Sequence, residues 1–522
     1  MVIIERGCLP RREADVTRDR SDRTSFRVSP PLVCPFDSAS HPRKNAGVTA
    51  EIPRLKPLGL AVLCATIFCS VTNASMSSIA LPDIARDFGV PADDLSWVVT
   101  AFIIPFATGT VIYGRLADTF GTKRMYLFGL SVFAAASFVT AAAPGFGWLV
   151  AARALQGVGA TAVPALSMAT IIRSTDPVTR GRSMGATVMT VGLGFATGPL
   201  LGGWLVDLGG WPGPFLAVGI GVAVLIPLAA VAVPGVPGTR GERFDLLGAI
   251  LVVLSITGAV IALNRLPRGV TDGLGLAGLG LVAVLLPLAV LRLRFAATPF
   301  IHRAVSSNIR FWALSTIGFT AQGTHFAVVV LVPLLLTTRF GASTIEVGLW
   351  MLPGALAIAA FGLAGGQLLE RLGARLLLIA GALVMASGGL VFHAAGAGWQ
   401  AAGISLMYAW IAAGYGMLQS AVITAATGAV SEELAGMASG AFNLAFFLGG
   451  AVSVALSTAI LRQREGADEA WNPLFDGAAS AYSDALLVVV VYVLVGVVLA
   501  VAAAPRRSAR PASAVELPAP GA

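Results

Sequence analysis

Gly114-Arg115-Leu116-Ala117-Asp118-Thr119-Phe120-Gly121-Thr122-Lys123-Arg124 is the stretch on which the reading of this 522-residue chain turns. It follows an apolar run from Trp97 to Tyr113 and precedes another from Met125 to Pro144. Gly114 and Asp118 are four residues apart, so they share a face while the helix lasts. A glycine there lets a neighbouring helix come close. An aspartate at the membrane surface suits the exposed amides at another helix's N-terminus. Gly121 permits a tight turn, and Lys123 and Arg124 hold the loop in the cytoplasm. An ordinary short loop with stop-transfer basic residues would look similar. A degenerate copy separates the two readings: Gly366-Gln367-Leu368-Leu369-Glu370-Arg371-Leu372-Gly373-Ala374-Arg375. Two copies, each ending a hydrophobic span, indicate an internally duplicated membrane protein.

Composition agrees. The chain is 56% hydrophobic and 12% charged, with a mean hydropathy of +0.82. That excludes a soluble globular domain. The net charge of +8 is therefore no nucleic-acid footprint; it reflects arginines that set membrane orientation. Cys8, Cys34, Cys64 and Cys69 have neither metal-ligand nor disulfide-framework spacing. Residues 1–57 are polar, arginine-rich and lack a signal-peptide core, so they read as a disordered cytoplasmic tail. An internal start near Val48 would leave residues 1–47 untranslated.

Fourteen hydrophobic segments follow, at 58–82, 97–114, 125–144, 147–172, 183–207, 212–233, 246–264, 273–291, 311–337, 346–369, 376–396, 399–424, 437–461 and 484–504. Of the 35 Lys and Arg residues, Arg86, Arg265, Arg268, Arg339, Arg462 and Arg464 fall on outer connections and Arg153 within a span. The rest fall on inner segments, which places both termini in the cytoplasm. Pro234 to Asp245 is the clearest internal boundary, and Arg292 to Arg310 is a second, basic one. The expected organisation is a cytoplasmic tail (1–57), a six-helix bundle (58–233), linkers with two plain spans (234–310), a second six-helix bundle (311–504) and a cytoplasmic tail (505–522).

Several spans carry more than apolar residues. Arg153, in Ala152-Arg153-Ala154-Leu155-Gln156-Gly157-Val158-Gly159, is costly at that depth unless it faces a protein or aqueous interior. Snorkelling from near the helix start is the alternative. Gln156 shares its face. In span 5, Gly194, Gly198 and Gly202 form a smooth stripe for close helix approach, and Pro199 predicts a bend. In span 9, Gln322 and His325 are three apart. His325 titrates in the range of a proton site, and a packing histidine is the bland account. Asn73, Gln419 and Asn443 are further polar groups within spans.

These strings resemble the major facilitator superfamily. The opening stretch resembles the signature loop between helices 2 and 3, and the Arg153 string resembles the span-4 motif whose arginine faces the central cavity. Gly192-Leu193-Gly194-Phe195-Ala196-Thr197-Gly198-Pro199-Leu200-Leu201-Gly202-Gly203 resembles the antiporter motif of exporters, and Asn73 to Pro82 resembles the span-1 motif. Gly440-Ala441-Phe442-Asn443 fits the span-13 neighbourhood. The six-plus-two-plus-six layout resembles the fourteen-helix drug:proton antiporter branch. The resemblance implies an all-α major facilitator fold of two six-helix bundles and two extra helices. It implies a polytopic protein of the bacterial cell membrane that exports small molecules by alternating access; a mostly apolar cavity with a few hydrogen-bonding groups and one cation suits lipophilic compounds, anionic or polyketide-like. The positions that are acidic in the related tetracycline exporters are Ala74, Phe195 and about Gly450 here, so proton coupling stays open. A facilitator or symport importer, or a non-transporting sensor, are the alternatives. No cofactor, metal or nucleic-acid motif is present in the sequence, no enzyme is implied, and a monomer in the bilayer is expected.

The family pattern also implies a latch. Asp118 meets the start of span 13 while Arg115 or Arg124 pairs with Glu432 and Glu433. Gly114, Gly121, Glu370 and Arg371 belong to the same conformational set, together with the span-5 stripe at the interface between halves.

Overall fold

A computed structural model describes residues 54–90, 92–238, 245–265, 272–296, 301–395, 398–431, 434–464, 471–472 and 479–503. Most of both expected tails, together with Glu432 and Glu433, lies outside the described residues. Every described element is helical.

The first group of helices is α1 (Pro57–Ile79), a short α2 (Leu81–Phe88), α3 (Ala92–Phe120), α4 (Thr122–Ala141), α5 (Phe146–Ala160), α6 (Ala162–Ser174), α7 (Pro177–Gly209) and α8 (Pro212–Ala232). Next come α9 (Leu246–Arg265), α10 (Gly273–Phe295) and the short α11 (Arg303–Ser306). The second group is α12 (Ile309–Phe340), α13 (Thr344–Leu372), α14 (Ala374–Ala394), α15 (Ala401–Thr427), α16 (Ala435–Arg464), α17 (Ser480–Ala485) and α18 (Leu487–Ala503).

Among the described residues, twelve segments are long and apolar enough to cross a membrane, with α5–α6 and α17–α18 each counted as one. The bent α7 makes a thirteenth. The apolar part of α9, Leu247–Leu263, is shorter; counting it gives fourteen.

Local chemistry explains the breaks. The opening stretch is almost entirely helix: α3 runs through Phe120, and the turn to α4 is the single residue Gly121 at φ 92°. The second copy turns in the same way at Gly373, φ 78°, between α13 and α14. Glycine tolerates such angles without steric cost. Between α5 and α6, Pro164 has no amide to give the carbonyl of Ala160, and Thr161 caps the break by donating to Gly157 O at 2.7 Å. α7 bends by 46° about Pro199, where the missing amide predicts it. Asn308 and Ser343 cap α12 and α13, Ser343 in a reciprocal box with Glu346.

α9 and α10 form a hairpin that leaves most leucines of α10 exposed. A Cβ at Gly278 would lie 2.6 Å from Gly258 O. At its base Asp245 accepts from Gly248 N–H at 3.0 Å and from Arg292 at 3.1 Å. The two larger groups meet chiefly through α7 against α13 and α3 against α16.

Candidate functional site

The two copies of the signature stretch occupy matching places. A Cβ at Gly114 would lie 2.6 Å from Gly436 O of α16, and one at Gly366 would lie 2.3 Å from Gly181 O of α7. Only glycine allows backbones this close. One helical turn further on, Asp118 accepts from the Met437 N–H in the first turn of α16. Glu370 correspondingly accepts from Arg182 N–H of α7 at 3.3 Å. Each carboxylate also holds an arginine. Arg173, ending α6, donates to Asp118 at 2.7 Å, and Arg182 Nε lies 3.1 Å from Glu370. The first pair is buried and the second has an exposed arginine.

Arg173, the partner of Asp118, is not singled out by the sequence; its one signal is a basic side chain closing span 4. Arg115 is buried beside Asp118, while Arg124 and Arg371 are exposed. The expected partners Glu432 and Glu433 lie outside the described residues. Gly121 meets the segment that follows α8: Thr122 N–H donates to Val236 O at 3.1 Å, and Val236 N–H donates to the Thr122 hydroxyl at 3.2 Å.

The span-5 stripe differs from expectation. Gly194, Gly198 and Gly202 pack on Val71, Ser75 and Met76 of α1, inside the first group rather than between groups. The intergroup face of α7 is instead Gly181, Gly185 and Gly192, against Gly366, Gly362 and Ala359. Gly192 and Gly194 are two residues apart, about 200° around a helix of 3.6 residues per turn. The two glycine rows therefore serve opposite sides.

Deeper in the first group, a polar chain runs through the apolar core. Arg153 donates to Val98 O at 3.0 Å and to Gln156 Oε1 at 2.5 Å. Gln156 Nε2 donates to Ser137 at 2.7 Å and to Asn73 Oδ1 at 3.2 Å. The guanidinium lies 4.4 Å from the Phe102 ring and 5.4 Å from that of Phe215, a cation–π cradle. Arg153 is 1% exposed, so it does not snorkel. Among the described residues no carboxylate pairs with it, and Asn73 Nδ2 has no partner. Ala74 is exposed, on another face of α1.

The second group holds a different cluster. The Tyr415 hydroxyl donates to Gln322 Oε1 at 2.6 Å. His325 stacks on Tyr415 with ring centroids 4.4 Å apart and 11° between planes. Phe195 of α7 meets it edge-on at 5.8 Å. A Cβ at Gly450 would lie 3.2 Å from the neighbouring Phe326. Gln419 is buried one turn from Tyr415 with Oε1 unpartnered, and Asn443 Nδ2 lies 3.7 Å from Met168 Sδ of α6. The structure thus gathers Asn73, Arg153 and Gln156 in one chain and Gln322 and His325 in another, with Gln419 and Asn443 in neither.

Two helix groups, joined by duplicated glycine–carboxylate contacts and each holding buried polar residues, describe a transporter body. Residues 63–454 match the Major Facilitator Superfamily. The chain belongs to that family. It is a multi-pass membrane transporter of small molecules and not an enzyme. It is 31% identical over 407 residues to "Multidrug resistance protein Stp" of Mycobacterium tuberculosis (strain CDC 1551 / Oshkosh), covering 76% of this chain and 74% of that one. It is 32% identical over 319 residues to "Methylenomycin A resistance protein" of Bacillus subtilis (strain 168), covering 59% and 67%. "Riboflavin transporter RibZ" of Clostridioides difficile (strain 630) is 27% identical over 329 residues, covering 62% and 70%. In fold, the chain is similar to the human organic anion transporter MFSD10 (TETRAN), with a TM-score of 0.59, 15% identity, and 84% and 99% of the two chains covered.

Proposed function

We propose that this transporter exports lipophilic small molecules across a bacterial cell membrane by alternating access. The halves would be 58–233 and 311–504, joined by 234–310, and one chain would be the working unit. The observation that carries this reading is the duplicated contact at one end of the bundle. The contacts of Asp118 with α16 and of Glu370 with α7 are built to close that end, and both can break when the halves rock. The relatives named for multidrug and methylenomycin A resistance support the outward direction. Arg153, a buried cation with no carboxylate partner among the described residues, favours substrates that are anionic or rich in acceptors.

The test is transport in sealed everted vesicles with two probes of fixed charge, 8-anilinonaphthalene-1-sulfonate (ANS) and ethidium. Uptake above that of vesicles lacking the protein, dependent on a pH gradient and stronger for ANS, is expected. Gradient-independent equilibration of ANS would favour a facilitator instead.

The arginine distribution orients the chain. Both termini and the Arg292 to Arg310 connection are proposed to be cytoplasmic, which makes the Asp118 end the inner one. Reporter fusions at Pro144, Arg310 and Ala522 are expected to read outside, inside and inside. An external reading at Ala522 would reverse the orientation.

A further inference from the structure

We propose that His325 is a proton-carrying site, and that Phe195, from the opposite half, covers it in one state and uncovers it in the other. The proposal rests on the exporter reading for what the proton drives, not for where the proton binds.

His325 is the seventeenth residue of the 32-residue α12, near its middle, and has no exposed surface. Neither Nδ1 nor Nε2 has a hydrogen-bond partner. A neutral imidazole carries one donor and one acceptor, and leaving both unmet in a closed apolar site is unfavourable. A side chain kept merely to fill this space would be better as leucine or phenylalanine. The surroundings suit a ring that holds charge for part of a cycle. Tyr415 stacks on one face at 4.4 Å, and Tyr408 lies parallel to it at 6.2 Å. Phe326 and Phe195 close the edges at 5.9 Å and 5.8 Å. An imidazolium over a tyrosine face is held by the ring quadrupole.

The groups around the ring are few. α15 contributes the phenols of Tyr408 and Tyr415. α18 brings Tyr492, which packs on Gly323. α16 presents Gly450 to Phe326 and Gln322, and α7 presents Phe195. Among the described residues no carboxylate or cation pairs with the ring. A proton here is therefore controlled by access and not by a fixed counter-charge.

Phe195 supplies that access. It sits on α7, which docks on α13 through Gly181, Gly185 and Gly192. Rocking that separates these glycines carries Phe195 away from His325. With the inner end open, one imidazolium N–H gives one proton to inner water and leaves a neutral imidazole. One imidazole nitrogen takes one proton again from outer water once the halves have rocked so that the outer side is open. No other bond forms or breaks.

The test uses the full-length chain in lipid nanodiscs with 15N-labelled histidine. The chain has four histidines, and H325Q identifies the resonance by its loss. That resonance is expected to move toward the imidazolium position between about pH 9 and pH 5 in F195A, where the ring is opened to water, and by less in the wild type, where Phe195 covers it. A resonance that stays neutral throughout, in both wild type and F195A, would overturn the proposal. In vesicles, the pH profile of ANS uptake is expected to flatten in H325Q; the wild-type profile at a uniformly reduced rate would mean packing alone and would also overturn it. A titrating His325 in vesicles that do not export ANS keeps the proton site and removes the exporter reading. A neutral His325 in vesicles that do export removes the proton site and keeps the exporter.

Discussion

Arg153→Ala lowers ANS export by about 10- to 150-fold, because a charge-assisted hydrogen bond to substrate contributes roughly 1.5–3 kcal/mol. The side chain is in place to make one. Its Nε holds Val98 O and its Nη1 holds Gln156, and two aromatic faces cradle the cation. No carboxylate among the described residues neutralises it. Membrane abundance should change little. Deleting an unpaired buried charge removes its desolvation cost, which offsets the lost contacts. Arg153→Lys separates charge from geometry. An ammonium keeps the charge, yet it cannot reproduce the planar fork that reaches Val98 and Gln156 together, so an intermediate rate is expected. Measuring export and abundance side by side decides the matter. Export within twofold of wild type in Arg153→Ala would reduce the guanidinium to a packing element.

The fold was legible because lipid imposes a simple rule on sequence. Spanning helices must be long and apolar, and the blocks from Pro57 to Ala503 obey it. Glycine and proline mark their breaks, and residue type alone points to turns at Gly121 and Gly373 and to a bend at Pro199. That Asp118 would meet a helix start was legible for a similar reason, since a carboxylate one turn below a glycine suits one; that the helix is α16 came from the resemblance to the family's pattern. What stayed hidden depends on helix rotation and on long-range meeting. Arg173 is 55 positions from Asp118, and nothing local pairs them. Four-residue spacing revealed the Gly194 row, but not that it faces α1 while Gly192 faces α13. Asp484 reads, in sequence, only as the start of a hydrophobic span. It is 1% exposed and ties Arg464 at 2.9 Å to the amides of Trp471 and Asn472. Apolar patterning says where a helix lies and not which neighbour its polar face will find.

The latch makes the last expectation, and it is an asymmetric one. Asp118 and Glu370 hold equivalent positions, yet their arginines differ in exposure. The Arg173 side chain is 10% exposed and that of Arg182 is 65% exposed. The Asp118–Arg173 pair lies within the first group, so what Asp118→Asn weakens between the groups is the charge-assisted hydrogen bond to the Met437 amide of α16, about 1.5–3 kcal/mol. Glu370→Gln breaks a pair that solvent already screens, at about 0–1 kcal/mol. If the contact forms only when the Asp118 end is closed, Asp118→Asn shifts the halves toward opening there by roughly 10- to 150-fold, and Glu370→Gln by less than about tenfold. A cysteine at Gly436 cannot report this, because its Cβ would lie 2.6 Å from Asp118 Oδ1. Spin labels at the exposed Phe120 and Arg375 can. With the native cysteines removed, the long-distance population should grow in Asp118→Asn and stay near wild type in Glu370→Gln. Gly114→Val and Gly366→Val should both open this end, since each added side chain meets backbone that cannot yield. Equal distance distributions in wild type and Asp118→Asn would make the duplicated stretch a fixed joint and place the moving contact elsewhere.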